Sequence, residues 1–267
     1  MSRDITCMKI WLVQRAEPTP HDEGGTQGLM RVGNLGRMMA ARGHSVVWWT
    51  STFDHNRGCQ RFDRDTRLPA GKGFDIQYIH APAYARKRSL ARLFADHQLA
   101  RRFAARVQEA SDRPDLILAS LPDPRLALNA VRFGRESHTP VIVDIRDLWP
   151  DLIYEHVPQV LRAAGRVALA PMARATRLAL AGADAITGVT EASVAWGLER
   201  GRRQRTSHDR AFPLAYVPAW GRETTFSRIS RTDRHSAHRC ESAQLYAMVN
   251  RLRSVLLADS VPDHGSR

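Results

Sequence analysis

At 267 residues, 43% hydrophobic and 25% charged, the chain can bury a sizeable core, which excludes a wholly disordered protein. Its formal net charge is +13, and Lys9, Lys72 and Lys87 are its only lysines, so arginine carries the excess. Residues 200–267 hold 13 Arg against 6 acidic residues, so the tail is far more basic than the body; aromatics are not interleaved with the arginines as a base-stacking surface needs, and no specific nucleic-acid partner is expected.

Cys7, Cys59 and Cys240 lie too far apart for a disulfide framework or a zinc pattern, which fits a reducing cytoplasm and no bound metal. A basic start followed by a long apolar core is lacking, as is any run of roughly 18 uncharged apolar residues, so a soluble or membrane-peripheral protein is expected.

The first element is Met8-Lys-Ile-Trp-Leu-Val13, an apolar run that reads as a buried strand. A breaker-rich loop, Glu17-Pro-Thr-Pro-His-Asp-Glu-Gly-Gly25, leads into a helix over 26–42, with Gly43 where a helix-ending glycine belongs. Ser45-Val-Val-Trp-Trp-Thr50 is a second strand. Residues 51–72 read as a long polar loop over the sheet's carboxyl edge, and Phe74-Asp-Ile-Gln-Tyr-Ile-His80 as a third strand.

A helix follows over 89–110, its apolar side rimmed by arginines that include Arg92, Arg101 and Arg102. Asp115-Leu-Ile-Leu-Ala-Ser120 is a fourth strand, ending in the turn Leu121-Pro-Asp-Pro124, and a short helix over 126–133 leads to the strand Val141-Ile-Val143. The spacing then predicts a helix over 159–181 divided at Pro171, a strand over 183–190 and a helix over 191–200. Strands alternating with helices at this spacing define a Rossmann-like parallel sheet with helices on both faces.

After Gly201 the pattern changes. Leu214-Ala-Tyr-Val217 reads as one last strand, and the boundary falls near residue 220. Residues 1–220 form the domain, and 221–267 are an irregular basic tail whose composition without periodicity is that of a truncated or out-of-frame extension. His235-x2-His238-x-Cys240 in that tail has no scaffold to make it a metal site.

Chemistry concentrates where the fifth strand ends, in Val143-Asp-Ile-Arg-Asp-Leu-Trp-Pro-Asp151. Ligands of open α/β sheets bind at the carboxyl ends of the strands, so Asp144, Arg146, Asp147, Trp149 and Asp151 are site candidates; a salt-bridged surface loop is the competing reading. Gly24-Gly-Thr-Gln-Gly28 lacks both the dinucleotide and the P-loop pattern, but adjacent glycines before a helix let backbone amides approach an anion.

Read together, the strand–Gly24-Gly25–helix unit, the junction Arg42-Gly-His44 and the Asp-Ile-Arg-Asp-Leu-Trp-Pro-Asp string resemble the N-terminal, acceptor-side domain of family 4 retaining glycosyltransferases with the GT-B fold, closest to the O-antigen, capsule and exopolysaccharide branch. The resemblance covers residues 8–220 and implies one half of a GT-B fold acting in cell-surface polysaccharide synthesis. It implies a nucleotide-sugar donor, a glycan or polyprenyl-linked acceptor and no cofactor. In that setting Gly24 and Gly25 would lie at the donor phosphates and Asp147, with Asp144, would act on the acceptor hydroxyl. Arg146, Trp149 and Asp151 would line the cleft. The basic helix, through Arg92, Arg101 and Arg102, would face an anionic membrane at the inner face of the plasma membrane; an ordinary sheet-packing helix with a solvated basic face is the competing reading. The family's donor-binding half is not recognisable after Trp220, and Glu191-x7-Glu199 sits on an exposed helix, so the alternative is a non-catalytic truncated fragment that binds membrane, acceptor or a partner chain.

Overall fold

The computed structural model describes residues 7–22, 29–85 and 89–213. The apolar runs become strands because β-branched and aromatic residues pack on both faces of a parallel sheet. These are β1 (Lys9–Val13), β2 (Ser45–Ser51), β6 (Phe74–Ile79), β7 (Leu116–Leu121), β8 (Val141–Ile145) and β9 (Ala185–Gly188), with a two-residue strand β10 (Arg210–Ala211) at the far edge. Their order in the sheet, completed by β5 (Thr66–Gly71), is β10-β9-β8-β7-β1-β2-β6-β5. Every pairing is parallel except β5 against β6. The chain starts in the middle, winds outward to one edge and then returns across β1 to build the other, so β1 and β7 flank the point where strand order reverses.

Five helices cross over: α1 (Arg31–Ala41), α2 (Leu90–Glu109), α3 (Pro124–Ser137), α5 (Arg162–Gly182) and α6 (Glu191–Gly201). On one face of the sheet α1 buries Val32, Leu35 and Met39 against Leu12, Trp48 and Ile76. On the other face lie Phe103 and Val107 of α2, Val131 and Phe133 of α3, Leu180 of α5 and Val194 of α6, packed against Trp11, Trp49, Val143 and Ile186. Trp11 stacks on Phe133 with ring centroids 5.2 Å apart, which fastens the central strand to α3.

Several expectations change. Residues 51–72 are not one loop: β3 (Phe53–Asp54) and β4 (Cys59–Gln60) form a small antiparallel pair, and β5 adds an edge strand whose side chains alternate between half-buried and exposed. Pro69 is tolerated there because an edge strand leaves one row of backbone groups unpaired in the sheet. The helix expected from residue 26 begins at Arg31, and the one expected over 126–133 runs from Pro124 to Ser137. Pro171 does not divide α5, which continues through it; the first turn of the expected helix is instead a 3-10 turn, Gln159–Leu161. The short helix α4 (Asp151–Glu155) lies in what read as loop. The strand expected over 214–217 and the tail over 221–267 lie outside the described residues.

The Arg42-Gly43-His44 junction has a structural role. Gly43 takes φ +89° to end α1, and the buried His44 ring accepts the Met8 amide through Nδ1 at 3.2 Å, setting the start of β1 beside β2.

Candidate active site at the carboxyl ends of the strands

Parallel strands deliver the residues that follow them to one edge, and three polar groups gather there. The first spans the reversal point. Arg15, just after β1, is buried and donates through Nε to Asp123 Oδ1 at 2.5 Å, just after β7. Its other end lies 2.9 Å from Asp96 Oδ1, on α2, and 3.4 Å from the Tyr84 hydroxyl, which also meets His55 Nδ1 at 2.6 Å. Burial pushes the Asp96 carboxyl up, to about 6, with Arg15 pulling it back and Asp123 adding to the rise. Burial works against the Arg15 charge, but Asp123 and Asp96 outweigh it and hold Arg15 protonated.

The second group closes α1. Glu17 is almost wholly buried, and its Oε2 accepts the Val32 amide at 2.9 Å and the Gly33 amide at 3.3 Å, in the helix's first turn. Helix N-termini leave such amides unpaired and favour negative charge, so a carboxylate stabilises this end. Arg146, just after β8, forms a salt bridge to the same carboxylate. Burial raises the Glu17 carboxyl, against the pull of Arg146 and of the two amides.

The third group lies inside the sheet's α1 face. Asp144 of β8 is buried and takes a two-pronged salt bridge from Arg31, Nε to Oδ2 and Nη2 to Oδ1, both 3.0 Å. Thr187 of β9, its register partner, donates to Oδ1 at 2.7 Å. Arg31 also donates to the Phe212 carbonyl at 2.9 Å. These bonds tie α1, β8, β9 and the segment after β10 together.

The residues singled out from sequence are therefore sorted by geometry. Asp147 is exposed, with no hydrogen bond among the described residues. Trp149 is half-buried in the same loop, before a cis peptide bond to Pro150, and the Arg92 guanidinium lies 5.0 Å from its ring centre. This places Arg92, 3.7 Å from Asp96, against the site instead of on the outer face of α2. Arg101 and Arg102 are exposed, Arg102 donating to the His80 carbonyl at 3.2 Å. Asp151 is turned away: its Oδ2 accepts from Trp196 Nε1 at 2.7 Å and Arg200 at 2.5 Å, fixing α4 to α6. Gly24 and Gly25 lie outside the described residues. Arg15, Glu17, Arg31, Asp96 and Asp123 were not singled out; charged residues placed directly after an apolar strand were the signal for Arg15, Glu17 and Asp123.

A cavity of about 440 Å³ lies elsewhere, between Trp11, Trp49 and the C-terminal turn of α2. Its neighbour Asp112 pairs with Lys9 at the start of β1, which puts the cavity toward the amino ends of the strands. Strand-end chemistry argues for the polar edge and against this cavity as the reacting site. Among the described residues no group of three His, Cys, Asp or Glu side chains can hold a metal.

An open Rossmann-like sheet whose strand order reverses between β1 and β7 defines a doubly wound α/β domain. Residues 29–208 match the glycosyl transferase 4-like domain, and the chain belongs to that family. No significant match is found among curated proteins. Solved structures similar to it include HepE of Anabaena in complex with UDP-glucose, at 13% identity and TM-score 0.40, covering 78% of this chain and 44% of that one. The catalytic domain of starch synthase IV from Arabidopsis thaliana, bound to ADP and acarbose, matches at 13% identity and TM-score 0.44, over 74% of this chain and 50% of that one. Arabidopsis thaliana UGT89C1 complexed with UDP matches at 12% identity and TM-score 0.42, over 76% and 50%. The chain thus spans about half the length of these structures.

Proposed function

We propose that this chain forms the acceptor-side half of a GT-B glycosyltransferase that moves a sugar from a nucleotide-sugar donor to a glycan or polyprenyl-linked acceptor in cell-surface polysaccharide synthesis. The observation that carries the reading is the Arg15–Asp123 pair bridging the reversal point of the sheet, beside the loop bearing Asp147 and Trp149, in a chain of the glycosyl transferase 4-like family. The second wall, holding most of the nucleotide, is supplied by another Rossmann-like half.

Asp147 is the carboxylate placed to accept a hydrogen bond from the acceptor hydroxyl, since it is exposed and carries no partner among the described residues. Asp144 acts on the site indirectly, by holding Arg31 at the start of α1. The resemblance puts donor phosphates at Gly24 and Gly25; at the α1 N-terminus Glu17 already holds the Val32 and Gly33 amides, so a phosphate bound there would require Glu17 to yield them or would sit beside them. In this reading the transfer takes place at the cytoplasmic face of a membrane.

A second reading is favoured by how fully these polar groups pair with one another: a non-catalytic chain that binds membrane, acceptor or a partner. Supplementing the chain with the donor-binding half of a glycosyl transferase 4-like relative, adding UDP-, ADP- or GDP-glucose and measuring released nucleotide separates the two. Release that falls about a hundredfold in Asp147→Asn supports transfer. No release from any donor, with or without a polyprenyl phosphate acceptor, supports the binding reading.

A further inference from the structure

We propose that Glu17 is a positioning residue for the turn between β8 and α4: through Arg146 it holds in place the residues that carry Asp147 and Trp149. The inference rests on the transferase reading above and assigns to that site a residue that acts on it through another.

Loops at strand ends are more mobile than the strands unless their side chains are tied down. The turn after β8 is tied in two directions. Arg146 reaches toward α1, where its guanidinium forms a salt bridge to the Glu17 carboxylate. Leu148 packs instead against the core on the other face of the sheet, the face that holds Trp11 and Val143. Thr176 of α5 then donates to the Trp149 carbonyl at 3.3 Å. Asp147 stands between the opposed pulls of Arg146 and Leu148, and it is the residue left exposed.

The far end of this tether is rigid. The Glu17 side chain keeps 1% of its surface open and Arg146 keeps 12%, so water and salt screen the pair little. Before it meets Arg146, Glu17 is already fixed by the Val32 and Gly33 amides, and α1 is anchored in the core through Val32 and Leu35. Contacts therefore run without a break from a packed helix, through Glu17 and Arg146, to the residue next to Asp147. Reacting groups need such support, because a displacement of about 1 Å can cost a hundredfold in rate. Charge adds to the effect. Among the described residues Glu17 is the carboxylate that pairs with Arg146, while Asp144 is held by Arg31. A guanidinium released from Glu17 would have the exposed Asp147 as its neighbour in the chain and would cover the carboxylate that the acceptor needs.

The test reads the turn and the chemistry separately. The full chain is labelled with 5-fluorotryptophan, and the Trp149 fluorine resonance is identified by its loss in Trp149→Phe. Glu17→Gln keeps an oxygen for the α1 amides but removes the charge that holds Arg146. Arg146→Gln removes the tether and leaves Glu17 on its amides. Both variants should shift or broaden the Trp149 signal, and the double variant should add little, since the two residues act as one link. Trp11 and Trp49, in the core, should keep their resonances. With the donor-binding half of a relative supplied, Arg146→Gln should lower turnover about a hundredfold at an unchanged KM for the nucleotide sugar, and Arg146→Lys should recover part of the loss. A Trp149 signal unmoved in Arg146→Gln would overturn the proposal, leaving Glu17 as a cap of α1 alone. Additive shifts in the double variant would overturn it as well. So would Trp11 and Trp49 moving with Trp149 in every variant, Arg146→Lys included, which would make the pair a general support of the fold. Full turnover by Arg146→Gln would sink this inference and leave the transferase reading standing. A Trp149 shift in both single variants of a chain whose unaltered form releases no nucleotide would sink the transferase reading alone.

Discussion

Asp144 and Asp147 are three residues apart, yet their surroundings assign them opposite consequences. Asp144 is buried with Arg31 and Thr187 around it, so Asp144→Ala leaves a buried guanidinium without its carboxylate. Breaking one side of such a pair costs about 3–5 kcal/mol, and the urea midpoint of Asp144→Ala should fall accordingly. Asp147 is exposed, and Asp147→Ala should change stability by no more than about 0.5 kcal/mol while lowering turnover. Equal melting of the two variants would refute this division. Asp96 supplies a pH test. Its folded pKa, about 6, stands above the ordinary carboxylate value of 3.8 because of burial, so the folded state binds its proton more tightly than the unfolded state. Its contribution is therefore fully present below about 3.8 and is lost as pH rises through about 6. Arg15 from the β1 end, Arg92 from α2 and Asp123 from the β7 end are the charges that face it, and Tyr84 packs beside them. Across that window the stability of the unaltered chain should decline relative to Asp96→Asn, as followed by thermal melting. A difference that stays flat with pH would remove burial as the controlling effect.

Helix α5 runs through Pro171 without interruption, although proline there cannot donate to the preceding turn. Pro171 is exposed, so nothing in the core requires it. Pro171→Ala should stabilise the chain by about 1–3 kcal/mol, read as a rise in melting temperature; no rise would mean that α5 bends there for a purpose. In α3 the reverse holds for Gly134. A Cβ at Gly134 would come within 2.3 Å of Val141 Cγ2 and 2.6 Å of the Thr139 carbonyl, where β8 begins. Gly134→Ala should therefore destabilise by about 1–3 kcal/mol, even though alanine is the better helix former. The same two scales explain what the sequence disclosed. Apolar runs such as 10–13 and 141–143 signal strands because both their faces are buried. Strand β5 escaped notice because one of its faces is open and its sequence, Thr-Arg-Leu-Pro-Ala-Gly, carries a proline and a charge. The loop of Arg146, Asp147 and Trp149 could be found from local pattern alone. Its partners could not: Arg15 meets Asp123 across 108 positions and Arg146 meets Glu17 across 129, distances that only the strand order closes.

At the scale of the whole molecule, a net charge of +13 favours approach to an anionic surface, to a degree set by how the arginines are displayed. Helix α2 displays them selectively. Phe103 and Val107 are buried against the sheet and Arg92 is drawn toward Trp149, whereas Arg101 and Arg102 stay exposed along with Leu93 and Phe94, the last 55% accessible. Val160, Leu161 and Val167 are also exposed, next to Arg162 and Arg166. Apolar side chains beside arginines suit the headgroup region of a bilayer, where each basic residue near an anionic leaflet contributes about 1 kcal/mol. Vesicles containing phosphatidylglycerol should therefore retain the chain in a flotation assay, with binding that weakens as salt is raised. Removing two such contacts through Arg101→Glu and Arg102→Glu should weaken binding at least about thirtyfold, and the reversed charges should add to the loss. Retention on purely neutral vesicles to the same extent would show that the apolar residues alone hold the chain. Unchanged binding of the double variant would move the contact away from α2, toward the segment that carries Val160 and Val167.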